Sequence, residues 1–578
     1  MTLPSPALVR RAPRSLTSSL AFLALCIASP CLAAGPLRGN PIDNLPKPEK
    51  PAQPAPAPVA TPVPSAQAAV QARLQQRIVP RHFDVSGSHA IPFKDITAIL
   101  TPLAGHETTV AHLVQEVDKI TQLYRSRGYP LSFALLQQQN FANGLVRVTV
   151  VEGYVSKVVI QGDNDNAASR LQSLGARLTA EKPLTQATLE RTLNLMREVP
   201  GVHIAPELNL PRRADGATEL VLKVSHRKFG LSGNVADLGT GEQGMVNIVA
   251  NSLSPLGEQV RLTAALPTRS RAVTYLNGSV NVPLNNNGLA LNVEGYYYKA
   301  RPEDQNLQSQ GWDRKLINQH VGASLSYPFI LNNNTTLKGT AGLYATKSYD
   351  EYDRSADDAK LEQDSNIRVL HAGLDYTNKT ERQSREIKVS IHRGLDAMGA
   401  SQKITSNYGV SGSPGFDLDF TRYNANVVQA FSLPWKLGVK FSADGQYSKD
   451  IVPTPEQVSY GGWRYGLGYP QGELGGDKGF GLSMELNRSI PTGWKYVSTL
   501  QPYVSADYAR TWYNAPALQY ANGHILSSVA LGLRVTDNRY YLLDMNVAKP
   551  TGDKPINSDH RGLRFNANLS MFYDGYGQ

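Results

Sequence analysis

From residue 227 to the C-terminus, apolar and polar residues alternate with a period of two. Leu437, Val439, Phe441, Ala443, Gly445 and Tyr447 interleave with Lys440, Ser442, Asp444 and Gln446. Leu289, Leu291, Val293, Gly295 and Tyr297 alternate in the same way against Asn292 and Glu294, and Phe480, Leu482, Met484 and Leu486 do so again. This period gives each strand one apolar and one polar face. A barrel in a membrane needs that arrangement, with lipid outside and polar groups within. The sheet must also close, because lipid cannot satisfy the hydrogen bonds of an open edge. At about ten residues per strand plus a connection of similar length, residues 227–578 hold roughly 16 strands. Of 27 tyrosines only Tyr124, Tyr129 and Tyr154 precede this region, and all five tryptophans follow its start. Aromatic girdles explain the bias, although composition alone leaves a secreted all-β protein equally open. A mean hydropathy of −0.31 excludes a polytopic helical membrane protein.

The chain predicts its own export. Arg10, Arg11 and Arg14 precede a short apolar run, Leu20 to Ile27, and Cys31-Leu32-Ala33 places small residues at a cleavage site after Ala33 or one residue on. The run is too short to span a bilayer, so residues 1–33 read as a signal peptide. No lipobox precedes either cysteine. Both cysteines, Cys26 and Cys31, lie inside the signal. The mature chain has no thiol, so packing and backbone hydrogen bonds must stabilise it. Loss of the three arginines lowers the formal charge from +10 to +7. That excess is dispersed, and no nucleic-acid partner is expected of an exported chain.

Residues 34–77 form a proline-rich linker, with ten prolines from Pro36 to Pro64. Such a segment is extended and builds no core. Ala66 to Arg77 reads as a solvated spacer more readily than as a helix. Residues 78–153 and 154–226 read as two α+β modules in tandem. In the first, a strand over Ile78–Val85 precedes a helix from about Thr109. That helix carries Val110, Leu113, Val114, Val117, Ile120 and Tyr124 at helical spacing, and Gly128 and Pro130 stop it. Strands follow at Leu131–Leu136 and Leu145–Val151. In the second, Val155–Gln161 opens the module. Thr185 caps a helix carrying Leu189, Leu193 and Met196, and Leu220, Leu222 and Val224 alternate on a closing strand.

Three stretches carry a resemblance that covers essentially the whole mature chain. The first is Leu123-Tyr124-Arg125-Ser126-Arg127-Gly128-Tyr129 with Val150-Val151-Glu152-Gly153. The second is Gly461-Gly462 through Gly479. The third is Gln501 through Arg510. Together they resemble the two-partner secretion outer-membrane transporters (TpsB, ShlB-FhaC-HecB type) of the Omp85 superfamily. The resemblance implies two periplasmic POTRA modules (78–153 and 154–226) and a barrel over 227–578. It also implies a loop that folds back into the lumen. The POTRA motif residues are then Tyr124, Arg127, Gly128, Tyr129, Glu152 and Gly153. The loop motif holds Gly468, Tyr469, Gly472 and Asp477. The family's loop arginine is replaced by Leu467, and Ala509 stands where a glycine is usual beside the strand aspartate, Asp507. The nearest arginine is Arg464. A buried carboxylate needs a partner, so Arg464 is expected to pair with Asp507. Tyr503, Ser505 and Asp507 are expected on the lumenal face, with Val504, Ala506, Tyr508 and Trp512 on the other.

No catalytic constellation is recognisable. The histidines have no metal spacing, no G-x-S-x-G elbow occurs, and the glycines near Gly466 make no dinucleotide fingerprint. No enzyme activity, cofactor or metal is expected. The resemblance implies capture of a large secreted TpsA-type exoprotein by the periplasmic modules, by strand addition. Secretion through the barrel then proceeds without ATP. The cargo is an adhesin, haemolysin, contact-dependent toxin or haem-acquisition protein. Outer-membrane lipid and the barrel-assembly machinery are the other implied partners. The alternatives are an Omp85-type assembly insertase and a passive porin. No segment between residues 35 and 65 reads as a helix that plugs the pore.

Overall fold

The computed structural model describes residues 40–47 and 74–573, apart from 138, 163–165, 210, 212–214, 238–241, 267–272, 303–307, 464, 557 and 559. The predicted signal peptide, most of the proline-rich linker and most of the spacer before Arg77 lie outside the described residues.

Two small sheets with the same topology come first. In the first module, strand β1 (His82–Ser86), helices α1 (Phe93–Leu100) and α2 (Val110–Ser126), and strands β2 (Phe133–Leu136) and β3 (Leu145–Val151) follow in order. The sheet order is β1-β3-β2, with β1 parallel to β3. The second module repeats this with β4 (Tyr154–Gly162), α3 (Ala167–Ala180), α4 (Gln186–Arg197), β5 (Val202–Leu208) and β6 (Ala217–His226), ordered β4-β6-β5. Local chemistry sets the helix ends. The Thr109 side chain accepts from the His112 amide, and that of Thr185 from the Thr188 amide, satisfying donors that the first helical turn leaves orphaned. Past the end of α2, Gly128 takes a φ of +86°, a left-handed conformation that glycine adopts without strain. Val110, Leu113, Val117, Ile120 and Tyr124 face the first core. Val114, read from the sequence as part of that stripe, lies at its edge and is exposed. The strand expected over Ile78–Val85 is divided between Arg77–Ile78 and β1.

The remainder is a closed antiparallel barrel of 16 strands. These are β7 (Phe229–Asp237), β8 (Glu242–Asn251), β9 (Gln259–Leu266), β10 (Thr274–Pro283), β11 (Ala290–Ala300), β12 (Trp312–Leu331), β13 (Thr335–Arg354) and β14 (Ala359–Lys379), and then β15 (Gln383–Gly394), β16 (Thr421–Leu433), β17 (Leu437–Ser448), β18 (Lys478–Arg488), β19 (Thr499–Trp512), β20 (Ile525–Thr536), β21 (Tyr541–Pro550) and β22 (Arg564–Phe572). Closure joins β22 to β7, with Asn568↔Ala236 at one end of the seam and Phe572↔Ser232 at the other. Side chains alternate as the sequence pattern demands: Tyr503, Ser505 and Asp507 are buried in the lumen, while Val504 is 55% exposed outside. The expectation of ten-residue strands fails at β12, β13 and β14, which run to 20, 20 and 21 residues. At about 3.3 Å per residue their length is more than twice an apolar band of about 25 Å. They project from the end farthest from the modules. There a buried Arg314–Asp350 pair at 2.6 Å ties β12 to β13.

The second module docks under the barrel through two identical Leu-Asn-Asn-Asn turns, Leu284–Asn287 and Leu331–Asn334. Arg170 donates to Asn286 Oδ1 at 2.8 Å, and Arg177 donates to Asn287 Oδ1 at 2.6 Å. Arg191 donates to the Pro328 carbonyl at 2.9 Å, and Asn194 contacts Asn333 at 3.2 Å. Leu331 joins the hydrophobic core of the second module. The two helices therefore bury one face in their own module and present arginines to the barrel turns.

Candidate functional site

The described residues of the segment 449–477, between β17 and β18, fold back into the lumen. They carry a short hairpin, Val458–Tyr460 paired with Leu474–Gly476. Val458, Tyr460, Tyr469 and Leu474 are buried and pack with Ala509 of β19 and Leu526 of β20. A lumen filled by polar strand faces gives a loop little apolar area, so the loop brings its own core and ties it down with hydrogen bonds.

Asp507 is the central tie. Its Oδ2 accepts from the Leu467 amide at 3.0 Å, and its Oδ1 accepts from the Ser528 hydroxyl at 2.6 Å. The next amide, Gly468, donates to Ser528 Oγ at 3.1 Å. The Leu467 carbonyl in turn accepts from Asn566 Nδ2 at 3.0 Å. One N–H of this tight turn thus binds a carboxylate of the barrel wall directly, and the next reaches the same carboxylate through the Ser528 hydroxyl. Arg464, the partner expected from the sequence, lies outside the described residues. A Cβ at Gly468 would stand 2.7 Å from the Pro550 backbone nitrogen, so a side chain there would lift the turn off the wall. Tyr469 is fully buried, and its hydroxyl donates to the Asp553 carbonyl at 2.8 Å.

Two buried carboxylates fix the loop ends. Asp477 accepts from the Val452 amide at 3.0 Å and the Asn514 amide at 2.7 Å. Glu456, in the turn Thr454–Glu456, accepts from Arg422 Nε at 2.6 Å and from the Tyr344 hydroxyl at 2.9 Å. Sequence reading missed Glu456, because Thr-Pro-Glu in a loop reads as a solvated turn. Gly472 takes a φ of +70° at a bend of the same loop.

The lumen also holds residues 40–45. Pro41–Asn44 form one short 3-10 turn. The Asn40 amide donates to the Gln457 carbonyl at 3.2 Å. Leu45 packs with Met245, Tyr298, Ala300 and Leu316. The sequence predicts no plug helix between residues 35 and 65, and among the described residues of that stretch the lumen contains this turn instead.

The motif residues of the first module build a joint. Glu152 Oε1 accepts from the His89 and Ala90 amides and from the Tyr124 hydroxyl, each at 2.7 Å. Burial pushes the Tyr124 phenol above its usual pKa, and the neighbouring carboxylate adds to the effect. Tyr129 packs edge-on against Tyr124 with ring centroids 6.0 Å apart, and Arg127 pairs with Asp95 at 3.1 Å. The Gly128 carbonyl accepts from the Gln186 amide at 2.7 Å, and the Gly153 carbonyl accepts from the Leu184 amide at 3.0 Å. Both bonds cross into the second module. Tyr124→Phe should therefore cost about 1.5–3 kcal/mol, as loss of a hydrogen bond to a charged group does. Glu152→Ala should cost more, because it also orphans two amides. Hydrogen exchange of α2 in the full-length protein measures both.

A closed barrel carrying two α+β modules at one end and a loop locked inside the lumen defines an outer-membrane protein transporter. Residues 78–153 match the POTRA domain of ShlB type. Residues 218–535, more than half of the chain, match the haemolysin secretion/activation protein family ShlB/FhaC/HecB, and the chain belongs to that family. It is thus a two-partner secretion transporter of the outer membrane, with its modules in the periplasm. The heme/hemopexin transporter protein HuxB of Haemophilus influenzae (strain 86-028NP) is 22% identical over 480 residues, covering 80% of this chain and 82% of HuxB. The outer membrane transporter CdiB of Escherichia coli is 22% identical over 481 residues, covering 78% and 77%. In fold the chain is similar to the solved structure of Escherichia coli CdiB, with a TM-score of 0.66, 18% identity and coverage of 88% and 93%. It is also similar to Haemophilus ducreyi BamA lacking POTRA domains 1–3, with a TM-score of 0.54, 16% identity and coverage of 86% and 100%.

Proposed function

We propose that this transporter exports one large exoprotein of TpsA type, and that the loop carrying Leu467 and Gly468 is the element that must leave the lumen for passage. The supporting observation is the Asp507 tie, a set of directional hydrogen bonds that a passing chain can replace with its own backbone groups. An extended polypeptide offers such groups at every residue. Periplasmic capture proceeds by strand addition to a module sheet edge, and folding outside the cell supplies direction. The relatives handle a heme/hemopexin system in one case and carry only a transporter name in the other. The cargo here is accordingly an adhesin, haemolysin, contact-dependent toxin or haem-acquisition protein. The barrel-assembly machinery is a further partner during biogenesis. The outward row Phe565, Ala567, Leu569 and Met571 on the last strand supports this.

Comparative proteomics of supernatant and outer membrane, with and without the gene, tests the proposal. One large secreted protein should vanish while the outer membrane stays unchanged. Broad depletion of barrel proteins would instead establish an assembly insertase.

A further inference from the structure

We propose that the outward face of β12–β17 holds a dedicated site for one phospholipid of the periplasmic leaflet. A groove of about 950 Å³ lies there. Its floor is small on β13, β14, β16 and β17, at Gly339, Ala341, Ala372, Ala425 and Gly445, and Leu374, Val389 and Ile391 rise from it midway. Register shows why it is continuous. One row of cross-strand partners runs Leu325↔Ala341↔Ala372↔Ile391↔Tyr423↔Tyr447, and the next runs Tyr327↔Gly339↔Leu374↔Val389↔Ala425↔Gly445. Five strand spacings make the groove about 24 Å long. Large side chains wall it at both ends. Phe329 is 58% exposed and folds over Gly339, and Tyr423 and Tyr447 stand at the other end. The row also climbs. Gly339 lies close to the periplasmic end of β13, whereas Gly445 lies near the far end of β17. The groove therefore slants from the periplasmic interface into the hydrocarbon layer, as an acyl chain does when its headgroup stays at that interface.

A cation stands at the lower end. Arg191 of the second module reaches the Tyr327 hydroxyl at 3.3 Å, the Pro328 carbonyl at 2.9 Å and the Asn287 carbonyl at 3.0 Å, all through Nη2. Among the described residues no bond is made to its Nε or Nη1, which leaves two donors for a phosphate oxygen. Lipid is the occupant because the groove is apolar, faces the membrane and ends at a guanidinium at headgroup height. A bound phospholipid would join the second module to the barrel wall through its headgroup and its chain.

The test is native mass spectrometry of the full-length protein, reconstituted with phosphatidylethanolamine and then delipidated in detergent. Wild type should retain one phospholipid. Ala341→Trp with Ala372→Trp, which fills the floor, should cut retention by about tenfold or more, as loss of roughly 1.4 kcal/mol per decade requires. Arg191→Gln should weaken retention with the groove intact, and Val529→Trp, outward on β20, should leave it unchanged. Heat-modifiable migration confirms that each variant is folded. Equal retention in wild type, the groove variant and Arg191→Gln would overturn the proposal. So would a dimer that the groove variant abolishes, since a second copy would then be the occupant.

Discussion

Asp507→Ala is expected to release the inward loop, whereas Arg464→Gln is expected to leave it seated. The carboxylate of Asp507 accepts from the Leu467 amide and the Ser528 hydroxyl. Alanine would orphan both donors in a buried setting, at about 1–3 kcal/mol each. The sum is enough to shift a seated-to-released equilibrium by two orders of magnitude or more. Asp507→Asn keeps one oxygen acceptor and should cost about 1 kcal/mol, so most loops stay in place. The cysteines of the sequence are Cys26 and Cys31, so in a chain cleaved after the predicted signal Leu467→Cys gives a single reporter whose own backbone bonds survive. Labelling from outside the cell with a membrane-impermeant thiol reagent should be slow in the parent and in Arg464→Gln, and fast in Asp507→Ala. Secretion should fall with Asp507→Ala. If Arg464→Gln labelled as fast as Asp507→Ala, the arginine pair inferred from the sequence would be the true anchor. A charge swap, Asp507→Arg with Arg464→Asp, would then restore the slow rate.

The same comparison shows what a sequence can and cannot disclose. Strand existence and facing were legible because lipid imposes a two-residue period on every strand. The helix starts at Thr109 and Thr185 were legible because capping requires a side-chain oxygen. The anchor of the loop was not. A main-chain N–H group leaves no letter of its own, so the sequence offers Asp507 only the nearest cation, Arg464, which lies outside the described residues. The docking arginines of α3 and α4 were hidden for a related reason. Arg170, Arg177 and Arg191 look like dispersed surface charges until the barrel turns are placed beneath them. The repeated Leu-Asn-Asn-Asn was visible in the chain, but turns rich in asparagine are common between strands, and only packing distinguishes these two. Helix α1 was missed because it is short and its Phe93 is exposed. Helix α3 was missed although Leu171, Leu174 and Leu178 share a face.

The second large effect belongs to Arg422, which sits beside His392 in register and donates to Glu456 at 2.6 Å. The Glu456 side chain is only 3% exposed. Removing the cation leaves a carboxylate in a site from which water is excluded, and breaking one half of such a pair costs about 3–5 kcal/mol. Arg422→Met should therefore expel the turn Thr454–Glu456 from the wall. Expulsion removes the Gln457 carbonyl that holds Asn40, so the N-terminal turn should lose its seat at the same time. In planar bilayers the variant should show longer open times and higher conductance than wild type, and its heat-modifiable transition should fall. Glu456→Gln should cost less than Arg422→Met, since the amide still bonds the Tyr344 hydroxyl and Arg422 keeps its bond to Asn424. Arg422→Met with Glu456→Met should recover most of the closed state, because two apolar side chains of similar volume remove both buried charges. That recovery separates two explanations of the single variant. If the double variant stays as open as Arg422→Met, the arginine holds the loop by its shape and not by cancelling the charge of Glu456. If Arg422→Met itself conducts and melts as wild type does, the pair is a passive resident of the lumen, and Asp507 and Asp477 keep the loop inside.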